Sequence, residues 1–250
     1  MNKLLSGLLL MFAVLLASCG GVKYNVSGTS SLPELDGKKL YLRVVDANND
    51  NELVSIDSCE VVHGQFSFSG TVDSVKMAML YMDDTSIMPL VLEGGNVKIV
   101  LNDREQSVGG TPLNDKFYVY IDKRRQIEND ALELPRRQNQ MILDGVDETE
   151  MNMILSSEQA RLEKQVDSLD THFVKENFDN VLSVGVFMSI VSQFKYPVLT
   201  PQLEDILSSA PESFKENKLI KKYVEEAEEF KKQIQYIPGS SSDEPVEKKK

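Results

Sequence analysis

The stretch LVSIDSCEVVHGQFSFSGTVD, residues 53–73, decides the fold class. Apolar and polar residues alternate along it, and a period of two marks a strand with one buried face. Phe66 and Phe68 fall on the same side. His63-Gly64 supplies the two residues of a tight turn, so the stretch reads as a β-hairpin.

The neighbouring segments repeat the pattern. KYNVSGT (23–29) is a first strand. KKLYLRVVD (38–46) puts Leu40, Leu42 and Val44 on one face and Tyr41, Arg43 and Val45 on the other. The polar turn ANNDNE (47–52) follows. KMAMLYM (76–82) and IMPLVLE (87–93) are two more strands around DDTS (83–86), and Pro89 assigns the second of them to a sheet edge. EGG (93–95) turns the chain into NVKIVLND (96–103), with Val97, Ile99 and Leu101 together. About seven short strands at near-regular spacing predict an antiparallel β-sandwich or open barrel over residues 19–110.

Beyond residue 110 the period changes. GGTPLNDKFYVYIDKRRQIENDALEL (109–134) is helical, with Thr111 as the expected N-cap, Pro112 at the first helical position and Pro135 ending the run. Leu113, Phe117, Tyr120, Ile121, Ile127, Ala131 and Leu134 recur at three or four. DETEMNMILSSEQARLEKQVDSLDTHFVKEN (147–177) is a second helix with acids in its first turn. NVLSVGVFMSIVSQF (180–194) is apolar on nearly every face and reads as a buried helix. TPQLEDILSS (200–209) and ENKLIKKYVEEAEEFKKQIQ (216–235) complete a helical region over 111–235. YIPGSSSDEPVEKKK (236–250) has a composition that builds no core and is expected to be a disordered tail. The fold class is therefore α+β: strands first, helices after.

Two segments of the β half carry a family resemblance. VSIDSCEVVHGQFSFSGTVD (54–73) looks like the pattern D-s-x-x-V-x-x-G-x-F-x-F-x-G-x-V, and PLVLEGGNVKIVLND (89–103) looks like x-x-L-E-x-G-x-I-x-I-x-x-D. Together they resemble domain of unknown function 4369, over roughly residues 22–125. In Bacteroidota-type lipoproteins that domain commonly precedes a helical segment and a thioredoxin-like TlpA/AhpC domain. The resemblance implies a fold and transfers no catalytic residue. This chain contains no C-x-x-C, so the disulfide exchange of such relatives is not expected of it.

The N-terminus carries a second resemblance. MNKLLSGLLLMFAVLLASC combines a positive Lys3, an apolar run over Leu8–Leu16 and the sequence Leu16-Ala17-Ser18-Cys19. The run has signal-peptide length and is short for a bilayer span. The segment resembles the lipobox of bacterial lipoproteins. That implies a signal peptide over 1–18, cleavage between Ser18 and Cys19, and diacylglyceryl and N-acyl groups on Cys19. Each buried CH₂ contributes roughly 0.8 kcal/mol, and two or more chains anchor a protein stably. An ordinary secretory signal or an N-terminal membrane helix are the alternatives. Gly20 is not the Asp of the inner-membrane retention signal, and the acidic cluster of surface export is missing. The expected location is the cell envelope, on the outer membrane facing the periplasm.

Composition narrows the chemistry. The chain has 250 residues, 41% of them hydrophobic, and a formal charge of −12. An acidic chain repels phosphate backbones, so nucleic acid is not an expected partner, and membrane attachment has to be hydrophobic or covalent. With Cys19 lipidated, Cys59 has no intramolecular partner. In an alternating strand it reads as a small hydrophobe, with a reactive thiol as the alternative. His63 at a turn and His172 beside an apolar stripe have no Cys neighbours and form no expected zinc site. Asp83-Asp84 reads as a solvated turn rather than a cation site. EGGN (93–96) lacks the spacing of a phosphate loop. No metal, cofactor or catalytic constellation is expected.

Three functions fit this inventory. The first is a non-enzymatic binding or scaffolding lipoprotein that holds a protein or envelope partner through a sheet edge or an apolar helical groove. The second is an accessory, degenerate relative of thiol-disulfide lipoproteins that acts with a separate thioredoxin-like partner. The third is a binder of a small glycan or lipid, which requires a pocket of several hundred Å³ with converging polar groups.

Overall fold

The computed structural model describes residues 21–46 and 52–235. The expected signal peptide, Ser18, Cys19 and the expected tail at 236–250 lie outside the described residues. The described residues form two compact units. One holds residues 21–45 and 53–114, and the other holds residues 46, 52 and 115–235.

The first unit contains two four-stranded sheets. Strands β1 (Val22–Ser30), β4 (Gln65–Val72), β7 (Gly95–Leu101) and β8 (Gln106–Gly109) form one, in the order β4-β1-β7-β8. Strands β2 (Lys39–Asp46), β3 (Glu52–Glu60), β5 (Lys76–Met82) and β6 (Thr85–Leu92) form the other, in the order β3-β2-β5-β6. The alternation sets the faces as the sequence predicts. Leu40, Leu42, Val44, Phe66, Phe68, Val97, Ile99 and Leu101 are all buried. Pro89 does sit on an edge strand, β6, where the missing N–H costs no ladder bond.

Three features differ from the sequence reading. The 53–73 stretch does turn tightly at His63-Gly64, both with positive φ, but it is not a strand-on-strand hairpin. Only Val62 and Gln65 bridge across the turn, and β3 and β4 belong to different sheets. The turn is a corner. Alternation fixes which side chains face inward and is silent on which strand lies alongside. The first sheet is also mixed: β1 pairs β4 antiparallel and β7 parallel, with Val26 opposite both Phe68 and Val97. An eighth strand, β8, pairs with β7 although its one large apolar residue is Val108.

Aromatic residues lie over glycines in the β1–β4 pair. Gly28 faces Phe66 and Gly70 faces Tyr24 across the ladder. A Cβ at either glycine would run into the facing ring. Each ring thus covers the bare backbone opposite it.

The second unit is helical. α1 (Pro112–Leu132) leads into α2 (Leu134–Leu143), α3 (Glu148–Lys175), α4 (Val181–Val191), α5 (Pro201–Ser209), the single turn α6 (Glu212–Lys215) and α7 (Lys218–Gln235). Pro135 ends α1 as expected and also stands in the first turn of α2, where a missing N–H is harmless. α2 was not apparent in the sequence because it buries no residue. Asp147 caps α3 through the N–H groups of Thr149 and Glu150, Asn180 caps α4, and Thr200 caps α5. α4 buries Leu182, Val186, Phe187, Ile190 and Val191, as its all-round apolar surface predicts. No helix among the described residues is long and apolar enough to cross a membrane.

Candidate functional site

β3 is the most exposed strand of the two sheets. It is nine residues long, lies at the edge of its sheet and buries none of its side chains. Leu53 is 48% exposed and Ile56 36%, and Val45 on the adjacent β2 is 40% exposed. An edge strand presents a row of backbone donors and acceptors to whatever approaches. Glu52, Asp57 and Glu60 make this edge acidic. Asp57 accepts a hydrogen bond from the buried Tyr24 hydroxyl at 3.3 Å, and burial followed by the Asp57 charge pushes that phenol up to about 12. The phenol therefore stays a donor at physiological pH and fixes the Asp57 carboxylate.

Cys59 lies on the same strand, half-buried and free. Burial pushes its thiol up to about 11, a backbone hydrogen bond from Ser67 opposes that, and the Asp57 charge adds to it. The thiol is protonated at neutral pH, whereas a reactive cysteine needs its thiolate. His63 forms the corner turn next to β4, and the Gly64 N–H donates to Asp36. Asp83 and Asp84 form the β5–β6 turn. Arg43 donates to the Asp83 carbonyl at 2.8 Å, and its guanidinium lies 4.4 Å from the centre of the Tyr81 ring. The acidic turn thus ties down an arginine stacked on the outer face of the sheet.

A second constellation closes the far edge of that sheet. Asn114, fully buried, donates to the Val91 carbonyl at 2.8 Å and accepts from the Val91 N–H at 2.8 Å. Its amide acts as one more residue of strand pairing on β6. Glu93 accepts from the N–H groups of Leu113 and Asn114 at 2.8 and 3.1 Å. Glu93, not Thr111, therefore caps α1. A carboxylate at a helix N-terminus satisfies free donors and the helix dipole together. The Thr111 hydroxyl instead accepts from Asn114 at 2.9 Å.

In the helical unit α1 and α3 flank an open groove of about 510 Å³, lined by Gln126, Ile127, Asp130, Gln165, Ser168, Leu169 and His172. His172 is on the wet side of α3, 3.1 Å from Glu176. Below the groove-lining face Tyr120 donates to the buried Asp170 at 2.7 Å, and the rings of Tyr120 and Phe173 stack at 4.2 Å. Arg124 Nε lies 3.5 Å from both Asp170 and Glu128, aligned with neither for a hydrogen bond. Burial raises the Asp170 carboxyl, and Arg124 and Tyr120 hold it down in part. Burial and the same carboxylate push the Tyr120 phenol far up. Sequence periodicity puts Tyr120 on an inward stripe and does not single out Asp170, because an acid in a helix reads as solvated.

The geometry of the first unit defines a class: a two-sheet β domain built to start a helix through a strand-end glutamate. The family model described as Domain of unknown function (DUF4369) matches residues 24–117. The matched stretch takes in Glu93, Thr111 and Asn114, so it extends over the first turn of α1. No curated protein matches the chain.

Proposed function

We propose that this protein is a lipid-anchored component of the cell envelope that binds a protein partner through the β3 edge, without catalysis. The supporting observation is β3 itself: nine residues of edge strand, no buried side chain, and Val45, Leu53 and Ile56 exposed beside it. The occupant that fits is an extended peptide segment added as a further strand. Its backbone supplies the ladder, an apolar side chain on one of its faces meets Leu53 and one on the other face meets Ile56, and basic residues meet Glu52, Asp57 and Glu60. Cys19 carries the acyl chains, and the anchor holds the domain at the outer membrane, facing the periplasm.

The test is a photo-crosslinking residue at Ser58 in the full chain in intact cells. One reproducible adduct is expected, reduced about tenfold by Ile56→Lys, as for a hot-spot residue at an interface. Its absence after Cys19→Ala would tie binding to the anchor. An adduct pattern indifferent to Ile56→Lys rules β3 out. Mass measurement of the N-terminal peptide tests the lipid separately, because an unmodified Cys19 removes the anchor and leaves the β3 reading standing.

The groove between α1 and α3 supports a second reading, a small polar ligand held by Gln126, Asp130, Gln165 and Ser168. Glycan-array binding lost on Asp130→Ala and Gln165→Ala would favour it over the peptide. The thioredoxin-accessory reading has the least support, since the Cys59 thiol is protonated; a phenotype for Cys59→Ser would revive it.

A further inference from the structure

β3 carries one carboxylate that is held in place and left without a counter-charge. The Tyr24 hydroxyl donates to one Asp57 oxygen at 3.3 Å, and the Ser58 N–H donates to the other at 2.7 Å. No cation among the described residues pairs with Asp57. Tyr24 comes from the other sheet: it stands on β1 opposite Gly70 of β4 and is 5% exposed. A Cβ at Gly70 would lie 2.5 Å from the Tyr24 hydroxyl, so the bare backbone there gives the ring its course to β3. Asp57 therefore faces the first sheet. Strand alternation puts Leu53 and Ser55 on that same face and Ile56 on the opposite one. A free carboxylate loses rotamer freedom when it grips a cation, and one fixed beforehand loses less.

We propose that Asp57 is the specificity-determining residue of the β3 edge, and that the strand added there carries Lys or Arg opposite Asp57. This deepens the edge-binding reading above and rests on it. The added strand runs antiparallel to β3, the pairing that is more stable per residue. Its basic residue then stands one place before the apolar residue opposite Ile56 and four places before the one opposite Leu53. The sequence of the partner is basic-apolar-x-x-apolar, with the basic residue and the second apolar residue on one face. Charge complementarity selects this occupant, because β3 holds Glu52, Asp57 and Glu60 and no basic residue. The same charges argue against a second copy. β3 paired antiparallel with itself centres on Ile56 and sets Glu52 opposite Glu60 twice, and like charges directly opposite are destabilising. Asp57 thus attracts a basic strand and rejects an acidic one, and Tyr24 acts through it as a positioning residue.

The probe is the biotinylated peptide Thr-Thr-Thr-Lys-Val-Thr-Thr-Val-Thr, presented to the full chain with the photo-crosslinking residue at Ser58. Its adduct is expected to exceed that of the same peptide with Gln for Lys about tenfold, as for one close charge pair. In Asp57→Asn the two peptides should label alike. Tyr24→Phe keeps the ring and removes the hydroxyl. It should narrow the Lys preference to about threefold and leave labelling by the Gln peptide unchanged, which a merely structural Tyr24 would not do. Lys moved one place earlier, opposite Ser58, and the reversed sequence should both label only at the level of the Gln peptide. A Lys preference that is absent, or that survives Asp57→Asn, overturns the role of Asp57 and leaves β3 standing as long as the peptides label. A reversed sequence that labels as well as the forward one overturns the antiparallel register. Labelling by no peptide while the cellular adduct at Ser58 persists overturns the motif alone. Loss of both overturns β3 itself. Circular dichroism and thermal unfolding confirm that each variant is folded.

Discussion

In the first unit the buried amide of Asn114 completes the hydrogen bonding of Val91, and every partner is within 3.4 Å. In the second the buried carboxylate of Asp170 faces a tyrosine in good geometry and an arginine in poor geometry. Both are polar groups in an apolar setting. Asn114 is neutral and loses little on desolvation once its bonds are made. Asp170 is ionisable, and burial opposes its charged form. The comparison separates two uses of buried polarity: one finishes a backbone ladder, and the other buries an ionisable group whose charged form its partners favour only in part.

Removing the neutral amide is expected to have the largest effect. Asn114→Ala leaves the Val91 N–H and C=O without partners in a buried place, and each orphaned group costs about 1–3 kcal/mol. We expect a loss of roughly 3 kcal/mol in urea unfolding, with accelerated hydrogen exchange at Val91 and the first turn of α1. Asn114→Asp keeps the shape but faces the Val91 carbonyl with a second acceptor, so it should not rescue. A loss below about 0.5 kcal/mol would mean that water replaces the amide, and the comparison with Asp170 would collapse.

The charged group gives a smaller effect with a distinctive pH dependence. The folded carboxyl of Asp170 is raised above its ordinary 3.8. The unfolded chain therefore releases this proton first as pH rises, and the folded state loses stability from about pH 4 up to the folded pKa, then no further. Asp170→Asn keeps an acceptor for Tyr120 and has no such transition. The stability of the natural protein relative to Asp170→Asn should thus fall as pH rises through this window. Subtracting the variant removes the surface carboxylates common to both. A difference that grows with pH would show that Arg124 more than compensates burial, and the two units would then use polarity alike.

How much of this could be read in advance follows the same division. Strand faces were legible because alternation is local: Leu40, Leu42, Val97 and Ile99 declare their side without knowing their neighbours. Strand partners were not, since the 53–73 turn has hairpin chemistry while its flanks join different sheets. Glu93 stood inside a quoted motif, L-E-x-G, yet its role as cap of a helix twenty residues later depends on a sheet edge meeting a helix start. Asp170 and Asn114 looked like ordinary polar positions on helices. α2 escaped notice because periodicity finds helices through their buried stripe, and α2 has none. The exposed edge of β3 was likewise invisible, because exposure depends on which strand ends the sheet.

The smallest expected effect tests the aromatic cover over β1. Gly28 lies under Phe66, and a methyl group there would overlap the ring. Gly28→Ala gains the intrinsic preference of a strand for a side chain and loses the close contact, and overpacking of this kind typically costs 1–3 kcal/mol. Because the overlap is with the far end of the Phe66 ring rather than with backbone, we expect a net loss of about 1 kcal/mol. The double variant Gly28→Ala with Phe66→Leu separates the causes. If the ring contact is responsible, the added cost of Gly28→Ala disappears once the ring is gone, a coupling visible in a double-mutant cycle. If the cost persists with Leu at position 66, the backbone itself requires glycine. The apolar packing of the first unit would then be set by strand geometry rather than by the ring, and the contrast with the stacked rings of Tyr120 and Phe173 in the second unit would sharpen.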